Sequence, residues 1–407
     1  MKGFFSSEKV KNTKFNPKNP QSCASCGLYK NCLSPKMKPY GKNKKKVLFL
    51  GEAPGEVEDK RGKQWQGKVG SDLQRVLSSL GFNLFRDGFG YNACNCRPPG
   101  NETPTPNQIY CCRKKALQVI KEYKPHVIFL LGSIPVESII GDRWKKKLGG
   151  ITKWRGWQIP DQDLKAWVCP VYHPSFVSRN EKKGEVNQAF TIWKRDLKKG
   201  LELIDKPLPD YSNEESKIVY VDSNKHFKSL IHKIKKADLL SFDYETTGLN
   251  PHEPSQKLIS ASVAFNDDQN YAWLFNKYRL KQWKKLLQSK VPKTAHNIPF
   301  EENWSFSKVG TSVNNWKICT MNSTHCLDNR RGVNGLKFQT YVNFGIPDYD
   351  SEIEPYLKSD IKKFGTKSHN KILDLIEEKG EKALLKYNAL DSRWGELLAK
   401  KHIDILF

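Results

Sequence analysis

The chain has 407 residues, 38% of them hydrophobic and 11% aromatic, a composition that is typical of folded globular proteins and excludes global disorder. At roughly 150 residues per domain, this length predicts two or three domains. The sequence carries 69 Lys and Arg against 43 Asp and Glu, a formal net charge of +26. Such an excess of positive charge favours a polyanion, above all nucleic acid, as the partner.

The apolar runs of the sequence are short, and none approaches the ~20 residues of a membrane span. The N-terminus passes from Phe5 directly into polar residues and has no secretory h-region. We therefore predict a cytoplasmic protein that is neither secreted nor inserted in a membrane. In a reducing compartment the ten cysteines are not expected to form disulfides.

In the first half of the chain, short apolar runs alternate with helical patterns. The runs are Val47–Leu50, Val127–Leu131 and Trp167–Tyr172, and the clearest helical period covers Val69–Leu80. Continuous apolar strands between helices indicate a buried parallel sheet and thus an α/β domain. The positive charge is concentrated here, because residues 1–210 hold 39 basic and 19 acidic side chains.

A polar, proline-containing stretch at 205–216 has no hydrophobic period and is predicted to be a linker between domain 1–204 and domain 217–407. Helical patterns dominate the end of the chain, notably at 379–401. Between the linker and these helices the sequence predicts four strands, namely Ile218–Val221, Leu239–Asp243, Leu258–Phe265 and Tyr271–Phe275.

Four cysteines of the first domain have spacings that suit a metal centre. Cys23 and Cys26 form a C-x2-C turn, and Cys96 and Cys112 form a second pair with fifteen residues between them. Four thiolates can hold either zinc or an iron–sulfur cluster, and the spacing alone leaves both open. The other six cysteines are predicted to be ordinary buried or surface residues.

Further motifs surround these cysteines. In order they are Gly51–Asp59, Gly67–Gly70, Cys96–Asn101 and His173–Phe176. Together they resemble the family 4 uracil-DNA glycosylases over residues 20–200. The resemblance implies an α/β/α sandwich with a parallel sheet and a [4Fe-4S] cluster. It assigns the cluster to Cys23, Cys26, Cys96 and Cys112, and prefers Cys112 over Cys111 because the last two family ligands lie sixteen positions apart.

The same resemblance assigns roles in excising a base that has been flipped out of the duplex. Asn92 matches the amide that reads uracil's polar edge, and Trp65 stands where the family has a stacking Phe, the alternative being a plain core residue. Glu52 matches the residue that positions the base or water. His173 matches the histidine that stabilises the departing uracil anion, and Arg179 would hold DNA phosphates.

Asp243 and Glu245 end an apolar strand of the second domain. Alternation along a strand places both carboxylates on one face, where they suit a divalent metal. Tyr387 and Asp391 are spaced i, i+4 and share one helix face, and a further segment runs from His296 through Asn297 to Glu301. The sequence therefore predicts a metal-dependent site in this domain.

These three segments resemble the proofreading 3′–5′ exonucleases with an RNase H-like fold. The resemblance implies that Asp243, Glu245 and Asp391 ligate two divalent ions, Mg or Mn, with Glu301 in the fourth carboxylate position. Tyr387 would orient the attacking water in an in-line displacement. Asn297, within the second segment, is assigned to substrate binding.

This order of modules is similar to the N-terminal portion of certain phage family A DNA polymerases. It predicts a DNA replication and repair enzyme in the host cytoplasm, either part of a phage polymerase or partner to a separate polymerase chain, with both sites active. One alternative is an active exonuclease whose glycosylase-like domain only binds DNA. The other is a non-enzymatic iron–sulfur scaffold, against which the intact carboxylates argue.

Overall fold

The computed structural model describes residues 20–180, 187–266, 269–359 and 369–407. The chain divides into two compact units, residues 1–209 and residues 210–407. Each unit is a mixed sheet covered by helices, which confirms the predicted α/β class.

Within the described residues of the first unit, five strands form one sheet in the order β2-β1-β3-β5-β4. They are β1 (Val47–Gly51), β2 (Gly88–Asn92), β3 (Val127–Leu131), β4 (Ile159–Asp161) and β5 (Ala166–Val171). The ladders β1/β2, β1/β3 and β3/β5 are parallel, and β4 is antiparallel to β5. Every residue of these strands is buried, as expected for a parallel sheet between helices.

The helices of the first unit cover both faces of this sheet. They are α1 (Cys23–Cys26), α2 (Glu56–Arg61), α3 (Lys68–Ser79), α4 (Leu84–Asp87), α5 (Pro106–Tyr123), α6 (Ser133–Ile139), α7 (Ile151–Trp154), α8 (Pro174–Arg179) and α9 (Gln188–Leu201). Short 3₁₀ turns lie at Leu28–Asn31 and Pro99–Asn101. The predicted period of α3 is confirmed, because Leu73, Val76 and Leu77 pack in the core. Helix α5 begins with a capping box between Thr105 and Gln108.

The parallel strands bring three predicted site residues to one edge of the sheet. Asn92 ends β2 in register with Gly51 of β1, Glu52 follows β1, and His173 follows β5 by two positions. The carboxyl ends of parallel strands form the crevice where α/β folds bind ligands.

Within the described residues of the second unit, six strands form a sheet in the order β11-β10-β7-β8-β9-β6. They are β6 (Ile218–Tyr220), β7 (Leu240–Thr246), β8 (Leu258–Ala264), β9 (Asn270–Leu274), β10 (Lys293–Ala295) and β11 (Trp316–Cys319). β7, β8 and β9 are antiparallel, whereas β6, β10 and β11 run parallel to their neighbours.

Helices pack on both sides of this second sheet. They are α10 (Asn224–Ile234), α11 (Lys277–Leu287), α12 (Ile298–Trp304), α13 (Thr320–Leu327), α14 (Leu336–Phe344), α15 (Glu354–Leu357), α16 (Ile372–Lys379) and α17 (Glu381–Leu406). A 3₁₀ turn precedes β6 at Glu214–Lys217, and a π turn follows α12 at Ser305–Val309.

Helix α17 lies close against the centre of the sheet because small residues line the contact. Ser260 and Ser262 of β8 donate hydrogen bonds to the side-chain and backbone oxygens of Asn388, at 3.0 and 2.6 Å. A Cβ at Gly395 would lie 2.9 Å from Ser241 Oγ, so a larger residue would push the helix away. This close packing places Asp391 over β7.

Among the described residues, no helix is both long and apolar enough to cross a membrane.

Candidate functional sites

Three acidic side chains meet where α17 crosses β7. Asp243 and Glu245 project from the same face of β7, and Asp391 comes from α17. One carboxylate oxygen of each lies within 4.8 Å of the others, and Glu245 and Asp391 are 7% and 8% exposed. Three like charges this close, two of them buried, repel one another strongly, so the arrangement favours a bound cation.

The electrostatics of the cluster fit divalent metal ions. Burial raises the pKa of Asp243 well above its usual value, and the charge of Asp391 raises it further. Burial, and then the neighbouring charge of Asp243, likewise raises the pKa of Glu245 well above its usual value. Asn388 Nδ2 donates to Asp243 Oδ2 at 2.8 Å, but within the described ranges no donor hydrogen-bonds the Glu245 carboxylate. Buried carboxylate oxygens with unfilled acceptor capacity are the ligands that Mg²⁺ and Mn²⁺ prefer.

Two neighbours of Asp391 are absent from the predicted site. The Lys337 ammonium and the Tyr349 hydroxyl both donate to Asp391 Oδ1, the latter at 2.6 Å. The Lys337 ammonium also lies 4.2 and 4.3 Å from the ring centroids of Tyr349 and Tyr387. Tyr349 is in an irregular segment without any sequence period, so no local pattern identifies it.

The remaining predicted residues of this site are outside the three-carboxylate group. Glu301 of α12 is 3% exposed, and its Oε2 has no partner in the described part of the chain. Burial, and then the charge of Asp243, raises the pKa of Glu301, which is outside the 4.8 Å group. Tyr387 is buried one turn before Asp391, and Asn297 is half-buried just before α12.

A cavity of about 290 Å³ lies at the carboxyl edge of the first sheet and brings Trp65, Asn92 and His173 together. Glu52 and Arg179 are outside its lining. The Arg179 charge nevertheless lowers the pKa of His173 and partly opposes the burial that raises the pKa of Glu52. Both residues therefore lie near the cavity rather than on its wall.

Trp65 is at once a core residue and a wall of this cavity. Its backbone has φ +60°, in the left-handed region, and its side chain is 5% exposed. A Cβ at Gly51 or Gly90 would lie 2.5 or 2.2 Å from the indole, so both glycines are needed for the ring to cover the strand ends. The indole centroid is 6.5 Å from that of His173.

The geometry of His173 defines which of its ring nitrogens carries the proton. His173 precedes α8, and its Nδ1 lies 2.7 Å from Ser175 Oγ, which can donate to it, and accepts a hydrogen bond from the backbone N–H of Ser175 at 3.3 Å. Burial, and then the Arg179 charge, lowers the pKa of His173 to about 4. The ring is therefore neutral near pH 7, with its proton on Nε2, where it can act as a hydrogen-bond donor.

Asn92 is held by two other buried amides. Its Nδ2 donates to Gln64 Oε1 at 2.5 Å, Gln64 Nε2 donates to Asn95 Oδ1 at 3.1 Å, and Asn95 Nδ2 donates to the Asn92 carbonyl at 2.7 Å. The three side chains are 0 to 5% exposed. Gln64 and Asn95 are missing from the sequence prediction, since isolated amides carry no recognisable signal.

The four predicted cysteine ligands lie in one region. The Cys26 thiol of α1 hydrogen-bonds Cys112 of α5, and the backbone N–H of Lys36 donates to Cys96 Sγ at 3.2 Å. Burial, and then the charges of Cys112, Cys96 and Cys23, raises the pKa of Tyr91, so these three thiols lie in the neighbourhood of one side chain.

The chemistry of this thiol set fits a metal centre. Burial raises the pKa of the Cys96 thiol to about 11, so a bound cation is needed to keep its thiolate form. Two cysteines outside the predicted set also contact it, because Cys32 hydrogen-bonds Cys96 and Cys94 hydrogen-bonds Cys112.

Comparisons with known proteins divide the chain in the same way. The sequence model of the uracil DNA glycosylase superfamily matches residues 38–198, and a 3′–5′ exonuclease model matches residues 218–375. The type-4 uracil-DNA glycosylase of Thermotoga maritima is 33% identical over 186 residues, which cover 46% of this chain and 91% of that protein.

Two more distant similarities were found. The DNA polymerase of Bacillus phage SP01 is 25% identical over 146 residues, covering 36% of this chain and 15% of the polymerase. The crystal structure of Trypanosoma brucei RNase D in complex with GMP is 14% identical, covers 46% of this chain and 58% of its own, and gives a TM-score of 0.37.

Proposed function

Because the chain belongs, over its first unit, to the type-4 uracil-DNA glycosylase family and continues with a 3′–5′ exonuclease domain, we propose that it is a bifunctional DNA hydrolase. The first unit excises uracil from DNA, and the second degrades DNA from its 3′ end. The main observation behind the proposal is that each unit brings its own set of predicted site residues together. Trp65, Asn92 and His173 share one cavity, and Asp243, Glu245 and Asp391 form one carboxylate cluster.

In uracil excision, water adds to C1′ of the deoxyribose while the N-glycosidic bond breaks and its electron pair leaves with N1 of uracil. The Asn92 amide reads the polar edge of the base, and the neutral His173 ring donates its Nε2–H to the uracil oxygen on which negative charge develops. Glu52 orients the base or the water from the cavity's border, and the exposed Arg179 binds a phosphate of the DNA.

Trp65 is proposed to stack against the flipped base. Replacing Trp65 by Ala removes the wall above Gly51 and Gly90, so we expect both uracil-DNA capture and the excision rate to fall. Base–aromatic stacking is worth ~1–3 kcal/mol, which corresponds to about a 5- to 150-fold weaker capture. Trp65→Phe keeps an aromatic face and should be tolerated.

Single-turnover excision and DNA binding of the two variants test this role. Trp154→Phe, at a fully buried indole outside the cavity lining, is the matched control for a general packing effect. If Trp65→Ala binds and excises like Trp65→Phe, the ring has no stacking role.

In the second unit, Asp243, Glu245 and Asp391 would hold two divalent ions, with Glu301 contributing through water. When bound, these ions supply the charge that activates a water and stabilises the leaving 3′ oxygen. The Tyr387 hydroxyl orients that water, while Asn388 and Lys337 fix the carboxylates of Asp243 and Asp391. Asn297, just before α12, would contact the terminal nucleotide.

We propose that Cys23, Cys26, Cys96 and Cys112 bind a [4Fe-4S] cluster with a structural role. The support is the thiol set described above together with the family relationship. Four thiolates also suit zinc, so the metal itself has to be measured.

Cys96→Ser should remove the brown colour of protein prepared without oxygen, and it should lower the melting temperature of the first unit. The physical reason is that metal-binding free energy is also folding free energy when the ligands are apart in the unfolded chain. The measurement is iron and sulfide content with the visible spectrum. Cys169→Ser, at a buried cysteine of β5 away from this set, is the control for loss of a buried thiol. Stoichiometric zinc without iron in the wild-type protein would refute the cluster.

The similarity to the phage polymerase suggests where the protein acts. We propose that it serves DNA replication and repair in the cytoplasm of a phage host, as part of or partner to a DNA polymerase. The support is the 25% identity to the polymerase of Bacillus phage SP01 and the order of the two domains.

Incubation with an oligonucleotide that contains one uracil tests the proposed function. In EDTA we expect an abasic product that alkali cleaves at the uracil position, and with added Mg²⁺ we expect shortening from the 3′ end as well. An oligonucleotide with thymine in place of uracil controls for non-specific cleavage. A protein that yields neither product is not the proposed enzyme.

A further inference from the structure

The amide chain of Asn92, Gln64 and Asn95 has only one consistent orientation. A backbone carbonyl can only accept hydrogen bonds, so the group of Asn95 that faces the Asn92 carbonyl at 2.7 Å must be its NH₂. Asn95 then presents its oxygen to Gln64, which must donate its Nε2 at 3.1 Å. Gln64 therefore presents Oε1 to Asn92, whose Nδ2 donates at 2.5 Å. The oxygen and nitrogen positions of Asn92 are thus fixed by a backbone group and not by the side chain itself.

This orientation leaves the Asn92 oxygen for a ligand. Asn92 is 4% exposed and lines the cavity. In the described part of the chain, no donor hydrogen-bonds its Oδ1, and the space beside that oxygen exists because Gly51 has no Cβ, which would lie 2.4 Å from it. One Nδ2 hydrogen is bound by Gln64, and the second remains available. Asn92 therefore presents one hydrogen-bond acceptor, its Oδ1, and one donor, its second Nδ2 hydrogen, to the cavity, and the two cannot exchange positions.

We propose that Gln64 is a specificity-determining positioning residue, which locks Asn92 in the orientation that accepts uracil and rejects cytosine. This inference rests on the proposed uracil excision. Uracil offers an N3–H to the Asn92 oxygen and an O4 to the remaining Nδ2 hydrogen. Cytosine has a lone pair at N3 and an amino group at C4. Its N3 acceptor would therefore face the Asn92 oxygen, which is also an acceptor, and its amino donor would face the Nδ2 donor. A buried donor or acceptor left without its partner costs about 1–3 kcal/mol, which is why a locked amide discriminates better than one that can flip.

Gln64 is adjacent in sequence to Trp65, and this position explains how its side chain reaches Asn92. Gln64 is fully buried, while the adjacent Trp65 covers the strand ends. The same turn therefore supplies both the proposed stacking face and the residue that orients the amide. Gln64 does not itself line the cavity, so it acts through Asn92 and does not touch the base.

The test measures the preference of the protein for uracil over cytosine without any chemistry. Duplexes carrying one 2′-fluoro-2′-deoxyuridine or one 2′-fluoro-2′-deoxycytidine resist excision, because the fluorine disfavours positive charge at C1′, and their affinities give a uracil-to-cytosine ratio. Gln64→Met keeps the length of the side chain but removes its acceptor, so the ratio should fall about tenfold, as expected for one lost or reversed hydrogen bond. Asn95→Leu removes the link to the backbone carbonyl and should lower the ratio in the same direction, which provides a second variant if the first folds poorly.

Gln74→Met is the matched control. Gln74 Nε2 donates to the carbonyls of Trp65 and Gly70, both at 3.2 Å, so this change removes an amide beside the same cavity without touching Asn92. We expect its ratio to equal that of the wild type. An unchanged ratio in folded Gln64→Met and Asn95→Leu would overturn the positioning role while leaving uracil excision intact. A wild-type protein with no preference for uracil would overturn the proposed function itself and, with it, this inference.

Discussion

Asp243→Asn should reduce metal-dependent 3′–5′ degradation about 10³-fold or more and leave uracil excision unchanged. The charge of Asp243 contributes to the raised pKa values of Glu245 and Glu301, and the charge of Asp391 contributes to the raised pKa of Asp243. Asn preserves the shape of the side chain and an oxygen that can still accept from Asn388, but it removes the negative charge that a divalent ion requires.

The stability of this variant separates lost chemistry from lost structure. Asp243 is one of three neighbouring carboxylates that repel one another, so its neutralisation should leave the melting temperature of the metal-free protein the same or higher. The measurements are shortening of a 5′-labelled single strand in Mg²⁺ and thermal unfolding in EDTA. Glu302→Gln is the control, since the neighbouring Glu302 accepts hydrogen bonds from Val313 and Trp316 outside the cluster. Nuclease activity that survives in Asp243→Asn would refute the metal-site assignment.

His173→Asn should slow uracil release by ~10²–10³ with little change in the affinity for uracil-DNA. Uracil leaves as an anion, so a hydrogen bond from His173 Nε2 strengthens as that charge develops and matters little in the ground state. We expect the affinity to come mainly from phosphate contacts by the basic first unit, which the substitution leaves in place. The measurement is single-turnover excision beside a salt-titrated binding assay, with His126→Asn as control, because His126 lies outside the cavity and bonds the Lys206 carbonyl.

The pH profile gives a second readout of the same residue. Because the pKa of His173 is lowered to about 4, the ring stays neutral throughout pH 5–8, so its protonation should cause no loss of excision near pH 6.5. Burial raises the pKa of Glu52 above its usual value, so as the pH falls Glu52 should be protonated before His173, and excision should decline with both steps. A loss of activity near pH 6.5 that disappears in His173→Asn would show that the ring works as a cation instead.

The sequence patterns predict the parts of the fold that depend on local apolar character. β1, β3 and β5 are continuous apolar runs, and the helical period at 69–80 has its buried face where the pattern places it. The sequence pattern does not define the bounds of β2, because this strand carries Gly88 and Gly90 and glycine is a poor strand former. Those glycines are explained by tertiary structure, because Gly90 makes room for the Trp65 indole.

In the two sites as well, local sequence patterns predict some residues and tertiary structure determines the others. Alternation along β7 predicts that Asp243 and Glu245 share a face, and the three-carboxylate group of the structure includes both. Tyr349 and Gln64 have no such signal, because they reach Asp391 and Asn92 across 42 and 28 positions of sequence. Contacts of this kind depend on chain topology and not on local spacing.

The presence of two independent hydrolytic sites in this chain is tested most directly by comparing Asp243→Asn and His173→Asn on one substrate. The substrate is a 5′-labelled oligonucleotide with a single internal uracil, incubated in Mg²⁺ and analysed with and without alkali. We expect Asp243→Asn to yield the alkali-cleaved abasic product without 3′ shortening, and His173→Asn to yield 3′ shortening with little abasic product. Loss of both products in either variant, or a wild-type protein that forms only one of them, would show that the chain does not carry two independent hydrolytic sites.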